Sequence, residues 1–218
     1  MGAFVTFEGP DGSGKSTQIH GLAEHLQALG QPVVLTREPG GTDISEKIRE
    51  VLHDLRNRAM RPPTEILLYS AARAQLVAEV IRPALAQGAI VLCDRYSDST
   101  MAYQGYGHGL DLDTLRRVTA FATGDLRPDL TLLFDLDPAE GLRRRQADGV
   151  EWNRLDDYDL AFHQRVRAGY HALAQAEPDR WVVLDATLDR EHLQAEVKRV
   201  VGERLGIEVR GYKLETGG

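Results

Sequence analysis

Residues 9–16 read Gly9-Pro10-Asp11-Gly12-Ser13-Gly14-Lys15-Ser16, a full match to G-x-x-x-x-G-K-[ST]. An apolar run, Ala3 to Phe7, precedes the match and a helical pattern follows it. This is the order of strand, loop and helix in which the motif acts as a phosphate cradle. The glycines let backbone N–H groups wrap a phosphate, and the helix turns its positive end toward it. Lys15 is placed for the outer phosphates and the Ser16 hydroxyl for Mg²⁺. A nucleoside triphosphate is the ligand this loop implies, held by residues 9–16 and Thr17.

Further apolar runs at 33–35, 89–93, 130–136 and 181–184 alternate with segments of helical periodicity. That rhythm predicts an α/β protein: five parallel strands in a three-layer αβα arrangement, with ligands at the carboxyl ends of the strands. Helices are expected over Lys15–Leu29, Ile44–Leu55, Thr64–Gln87, Leu112–Thr123, Pro138–Asp148, Asp157–Ala176 and Asp189–Leu205. Residues 95–111, rich in Ser, Gly and Tyr, read as a long loop. One domain over 1–206 accounts for the 218 residues, and 207–218 reads as a C-terminal tail without a periodic pattern, expected to be disordered or to fray.

Several function classes fall away on composition. The net charge of −7 argues against a nucleic-acid partner, which would need a basic face. No apolar stretch reaches the length of a membrane span, and the N-terminus lacks a basic leader, so no membrane partner and a cytoplasmic location are expected. Cys93 is the one cysteine and reads as a small core residue. The seven histidines are scattered and form no zinc-ligand set.

Four segments at strand ends or helix starts should converge on the phosphate loop. Asp11, a carboxylate inside a phosphate cradle, needs a compensating donor or a metal ion beside it. Arg37, in Thr36-Arg37-Glu38-Pro39-Gly40-Gly41-Thr42, is placed to fork onto a second phosphate. Tyr69 and Arg73 are i and i+4 on the long middle helix and share a face suited to a flat base, or to plain packing. Asp94 and Arg95 close the strand Ile90-Val91-Leu92-Cys93: Asp94 could hold Mg²⁺ directly or through water, together with Ser16, and Arg95 could bridge two phosphates. Asp135 and Asp137 form a rival acidic strand end, ranked lower because Asp137-Pro138 reads as a helix start. Arg143, Arg144 and Arg145, with Arg154 further on, suit a lid over about 143–157.

The segments FEGPDGSGKSTQ, TREPGGT, YSAARAQL and DRYSDSTMAYQG, in this order and spacing, closely resemble those of the thymidylate kinase family, over roughly residues 1–205. The resemblance implies a sheet ordered 2-3-1-4-5, a lid, a homodimer, and phosphorylation of dTMP to dTDP by MgATP. On the family's pattern Lys15 and Ser16 serve ATP and Mg²⁺, Asp11 holds the acceptor 3′-hydroxyl, and Arg37 and Arg95 clamp the acceptor phosphate. Tyr69 stands where the family usually has a stacking Phe, and Arg73 where an Arg bonds the base. Thr100 and Gln104 lie where polar residues meet base or phosphate, and Tyr103 where a ring crowds the 2′-position. Gly12 matches the bacterial type, in which lid arginines supply charge; that duty falls here on Arg144, Arg145 or Arg154. The rival readings are a kinase of another nucleoside monophosphate or nucleoside, and a nucleotide-dependent switch.

Overall fold

A computed structural model of the protein describes residues 2–147 and 154–207. Among these, five strands form one all-parallel sheet: β1 (Ala3–Glu8), β2 (Val33–Arg37), β3 (Ile90–Asp94), β4 (Leu130–Asp135) and β5 (Trp181–Asp185), in the order β2-β3-β1-β4-β5. The anticipated 2-3-1-4-5 sheet is what forms. Alternation along each strand divides the core. Val5, Phe7, Leu92, Leu132 and Phe134 meet Ile19, Leu22 and Leu26 of α1 (Lys15–Ala28) and Leu193, Val197 and Val201 of α9 (Arg190–Leu205). On the opposite face Phe4, Val91 and Cys93 meet Leu76, Val77 and Ile81, while Leu133 and Trp181 meet Phe162, Val166 and Tyr170 of α8 (Leu160–Ala176). Each such side chain, fully buried, stabilises the fold by roughly 1.5–3 kcal/mol.

Local chemistry sets the helix ends. Thr42 caps α2 (Asp43–His53) by accepting from the Ser45 N–H, Asp111 caps α6 (Leu112–Thr123) through Thr114, and Asp159 caps α8 through Phe162. The Asp159 cap explains why α8 begins at Leu160 rather than near Asp157. Gly124, in the left-handed region at φ 57°, ends α6.

Two stretches differ from expectation. The long middle helix runs as α3 (Pro62–Leu76), a widened π-type turn at Val77–Ile81, and α4 (Arg82–Ala86). The wide turn lies just ahead of Pro83, whose ring and missing N–H cannot join a regular i to i−4 ladder. The expected loop at 95–111 is largely helical: α5 (Ser97–Thr100) continues as a π-type segment, Met101–Gly107. Its Ser/Gly/Tyr composition reads as loop, yet Met101, Ala102, Tyr103 and Gln104 are buried, so packing overrides propensity. At Gly107 an added Cβ would come within 2.6 Å of the Phe162 ring, the close approach that its small side chain permits.

α7 (Pro138–Ala147) leads toward the expected lid. Residues 148–153 of that lid, and the tail beyond Ile207, lie outside the described residues. The base of α7 abuts the phosphate loop: a Cβ on Gly12 would sit 2.2 Å from the Gly141 carbonyl oxygen, and one on Gly141 2.5 Å from the Asp11 carbonyl oxygen.

Candidate active site

The carboxyl ends of β1, β2 and β3 open onto one cavity of about 470 Å³, a size suited to small-molecule ligands. Its walls include Asp11, Gly12, Gly14, Lys15, Ser16 and Thr17 of the phosphate loop. Gly14, at φ 84°, turns the chain into α1. Lys15 folds back over its own loop and donates to the carbonyls of Gly9 (3.1 Å) and Pro10 (2.7 Å). Burial, then the nearby Arg95 charge, brings its amine down to about 8, against the opposing pull of Asp94, Asp11 and Glu8. The Ser16 hydroxyl donates to Asp94 Oδ2 at 2.9 Å. The two oxygens named from sequence for a metal are therefore neighbours.

Arg95 occupies the left-handed backbone region at φ 68°, a conformation that costs a non-glycine residue of order 1–3 kcal/mol and tends to occur at functional sites. Its guanidinium is held on all sides. Nη2 donates to Asp11 Oδ1 (2.9 Å) and the Tyr103 hydroxyl (3.2 Å), and Nη1 to the Tyr170 hydroxyl (3.1 Å) and Ser99 Oγ (3.3 Å). Behind it, Glu8 Oε2 accepts from the same two hydroxyls, Ser99 at 2.6 Å and Tyr170 at 2.9 Å, and Oε1 from the Tyr96 N–H. Burial and the Asp98 charge push Glu8 up to about 7, partly offset by Arg95 and the two hydroxyls. Burial alone would raise Asp11 as well, but Arg95, Lys15 and Arg145 hold it well below the usual carboxylate range.

Across the cavity stand Arg37, Tyr69, Arg73, Thr100, Tyr103 and Gln104. Arg37 Nη2 donates to both carboxylate oxygens of Glu46, at 2.9 and 3.0 Å, from a half-exposed position. Arg73, 1% exposed, donates to Glu38 Oε2 (2.7 Å), Thr100 Oγ1 (3.0 Å) and the Tyr96 carbonyl (3.1 Å). A guanidinium carries five N–H donors, and these bonds use three of them. Burial pushes Glu38 up to about 7 despite Arg73. Gln104 donates to Glu65 Oε1 at 2.7 Å.

The arginines around the lid part company. Arg145 lines the cavity, 2.7 Å from Asp156. Arg144 turns instead to Glu140 (2.7 Å) and the Ala186 carbonyl (3.1 Å). Arg154 is buried against Glu65, the Leu52 carbonyl and the Tyr158 hydroxyl. Asp135 is engaged by Arg167 and His171 and does not border the cavity, and Asp137 accepts from the Ala139 N–H at the start of α7.

Several members of this site escape sequence reasoning. Glu8, the last residue of β1, carries no motif signal of its own. Tyr170, 162 residues away from it, carries no local signal. Arg49 and His53 also border the cavity, placed there by the helical spacing of α2. Burial, then Arg49, lowers His53 to about 4, so it is neutral near pH 7.

A phosphate loop facing a second set of cationic and aromatic side chains across one cavity, on a sheet of this order, defines a P-loop phosphotransferase. The family model described as thymidylate kinase matches residues 7–197. A thymidylate kinase from Roseiflexus sp. is 56% identical over 212 residues, covering 92% of this chain and 94% of that protein. One from Deinococcus radiodurans is 54% identical, covering 94% and 98%. The crystal structure of thymidylate kinase from Ehrlichia chaffeensis superposes with a TM-score of 0.75 at 36% identity, covering 92% of this chain and 98% of that one. The chain belongs to the thymidylate kinase family.

Proposed function

We propose that this enzyme transfers the γ-phosphoryl group of MgATP to dTMP, giving dTDP and ADP, as a step of nucleotide biosynthesis. The observation that carries the reading is the meeting, in one cavity, of Lys15 and Ser16 with Arg37, Tyr69, Arg73 and Arg95. An oxygen of the acceptor phosphate forms the new bond to the γ-phosphorus, and the bond to the β,γ-bridging oxygen breaks, its electron pair leaving with ADP. The acceptor needs no strong base, because its second pKa is about 6 and it is a dianion near pH 7. Catalysis is then positioning and positive charge.

Lys15 exchanges its two loop carbonyls for the β- and γ-phosphates. Arg95, preset by Asp11, Ser99, Tyr103 and Tyr170, meets the acceptor phosphate, and Arg37 leaves Glu46 to join it. Tyr69 stacks on the base, Arg73 and Gln104 meet its edge with Thr100 beside them, and Tyr103 crowds the 2′-position. Asp11 receives the 3′-hydroxyl. Arg145, already on the cavity, is the lid arginine nearest this role, and Arg144 and Arg154, each engaged elsewhere, are the alternatives. Mg²⁺ fits Ser16 and Asp94, two hard oxygen donors beside the loop, with phosphate oxygens and water completing its shell. It would neutralise charge on the β- and γ-phosphates.

We also propose a homodimer. Phe121 on α6 is 91% exposed and Leu67 on α3 63%, and these two helices pack together, leaving large apolar side chains suited to burial against a second copy. Among the described residues no helix is long and apolar enough to cross a membrane; a cytoplasmic location, with the nucleotide substrates, completes the reading.

A panel of nucleoside monophosphates scored by melting temperature tests the acceptor assignment. A ligand at a hundredfold over its Kd adds about 2.7 kcal/mol to the folded state. dTMP should give the largest rise, and a larger one from CMP or UMP would overturn the assignment.

A further inference from the structure

Glu65, on α3 and 1% exposed, borders neither the phosphate loop nor the cavity, yet it joins two groups that matter to the site. Its Oε1 accepts from Gln104 Nε2 at 2.7 Å, and its Oε2 from Arg154 Nη2. His108 Nε2 lies 3.7 Å from Oε1. Burial alone would raise this carboxyl, but its contacts with His108, Arg154 and Gln104 keep it below the usual range, hence ionised. An ionised carboxylate only accepts hydrogen bonds. The end of the Gln104 amide that faces Glu65 must therefore be the NH₂ group. The usual ambiguity between amide oxygen and nitrogen is removed by chemistry.

The consequence lies at the other end of the amide. Gln104 lines the cavity together with Tyr69 and Arg73. Among the described residues no donor reaches Gln104 Oε1, which leaves that oxygen as an acceptor for a ligand. Arg73, held by Glu38 and Thr100, offers only donors. The wall thus presents an acceptor beside a donor in a fixed arrangement. A 4-oxopyrimidine offers the complement, a ring N–H beside a carbonyl oxygen. Cytosine offers the reverse, a bare ring nitrogen beside an amino group. Were the Gln104 amide free to turn over, its NH₂ could donate to the bare ring nitrogen of cytosine, and only Arg73 would then oppose that base.

We propose that Glu65 is a positioning residue for base selection: by accepting from Gln104 Nε2 it fixes Oε1 toward the cavity and so favours a 4-oxopyrimidine over cytosine. This rests on the reading of the cavity as a pyrimidine monophosphate site. A site with a committed hydrogen-bond edge rejects the mismatched ligand because its own buried polar groups are left unpaired.

The test is kcat/KM for dTMP and for dCMP in the wild type and in Glu65→Gln, with melting temperature read alongside. A glutamine at 65 can present either a donor or an acceptor to Gln104, which frees that amide to turn over. The dTMP:dCMP ratio should fall at least tenfold, mainly through KM. An unchanged ratio, with kcat lowered equally for both substrates, would overturn the proposal and leave Glu65 as an anchor for Arg154. A wild type that does not prefer dTMP would overturn the underlying reading of the site itself, a result visible before any variant is made. Should E65Q fail to fold, the ligand-free wild type still decides: the Gln104 side-chain amide protons should show nuclear Overhauser contacts to Glu65 that persist when dTMP is added. Their replacement by contacts to the base would contradict the proposal.

Discussion

Arg95 Nη2 lies 2.9 Å from Asp11 Oδ1, so the end of β3 is fastened to the middle of the phosphate loop. The loop carboxylate finds its compensating cation, and the cation is fixed at the wall of the cavity. Both side chains are largely shielded, which strengthens the pair relative to a surface one.

Arg95→Ala should lower kcat/KM for dTMP by a hundredfold or more, equivalent to about 3 kcal/mol of transition-state stabilisation. Arg95→Lys should recover only part, since a single ammonium cannot satisfy Asp11, Tyr103 and Tyr170 while also meeting a phosphate. Steady-state kinetics decide this, and near-wild-type turnover of R95A would remove Arg95 from the mechanism.

Glu8→Gln should change how stability depends on pH. Glu8 ionises near 4.5 in the unfolded chain and near 7 in the folded protein. Between those values the folded state holds the proton and the unfolded state does not, so this group's stabilisation is full below about 4.5 and is lost as pH rises through 7. His53, depressed to about 4, acts with the opposite sign over a similar window. The informative quantity is therefore the difference between wild type and E8Q. Urea midpoints from pH 4.5 to 7.5 should show the variant gaining relative to wild type as pH rises, and parallel curves would contradict the assignment.

Arg73→Ala should destabilise the protein by roughly 3–5 kcal/mol, because it strands the buried Glu38. Adding Glu38→Gln should recover part of the lost melting temperature while leaving the KM for dTMP high. If the double variant is no more stable than R73A, the buried pair does not carry the cost.

Gly12→Ala should impair folding and activity together. The new methyl group would meet the Gly141 carbonyl oxygen at 2.2 Å, at a backbone φ of 76°. Relief requires moving the base of α7 off the loop. A variant with unchanged melting temperature and unchanged KM for ATP would show that this contact is not tight in solution.

What the sequence revealed and concealed follows from distance along the chain. The phosphate loop, the five strands and most helix ends are local patterns, and they form within a few residues of where periodicity and caps place them. The 97–107 segment was hidden because its helix exists only through burial against α8 and α3, which no local propensity encodes. The convergence of Arg37, Tyr69, Arg73 and Arg95 was legible because each sits at a strand end or on one helical face. The support of Arg95 by Glu8 and Tyr170 was not, since it depends on α8 folding back across the sheet. Likewise a reader of the chain sees Arg154 as one more lid cation, whereas its partner Glu65 lies 89 residues earlier.

The most direct test of the whole account is the rate of ADP release from MgATP in the presence of dTMP, dUMP, dCMP, dAMP and dGMP at equal concentration. The account predicts slow release with ATP alone and the fastest release with dTMP, accompanied by stoichiometric dTDP. Release indifferent to dTMP, or faster with another monophosphate, would contradict it.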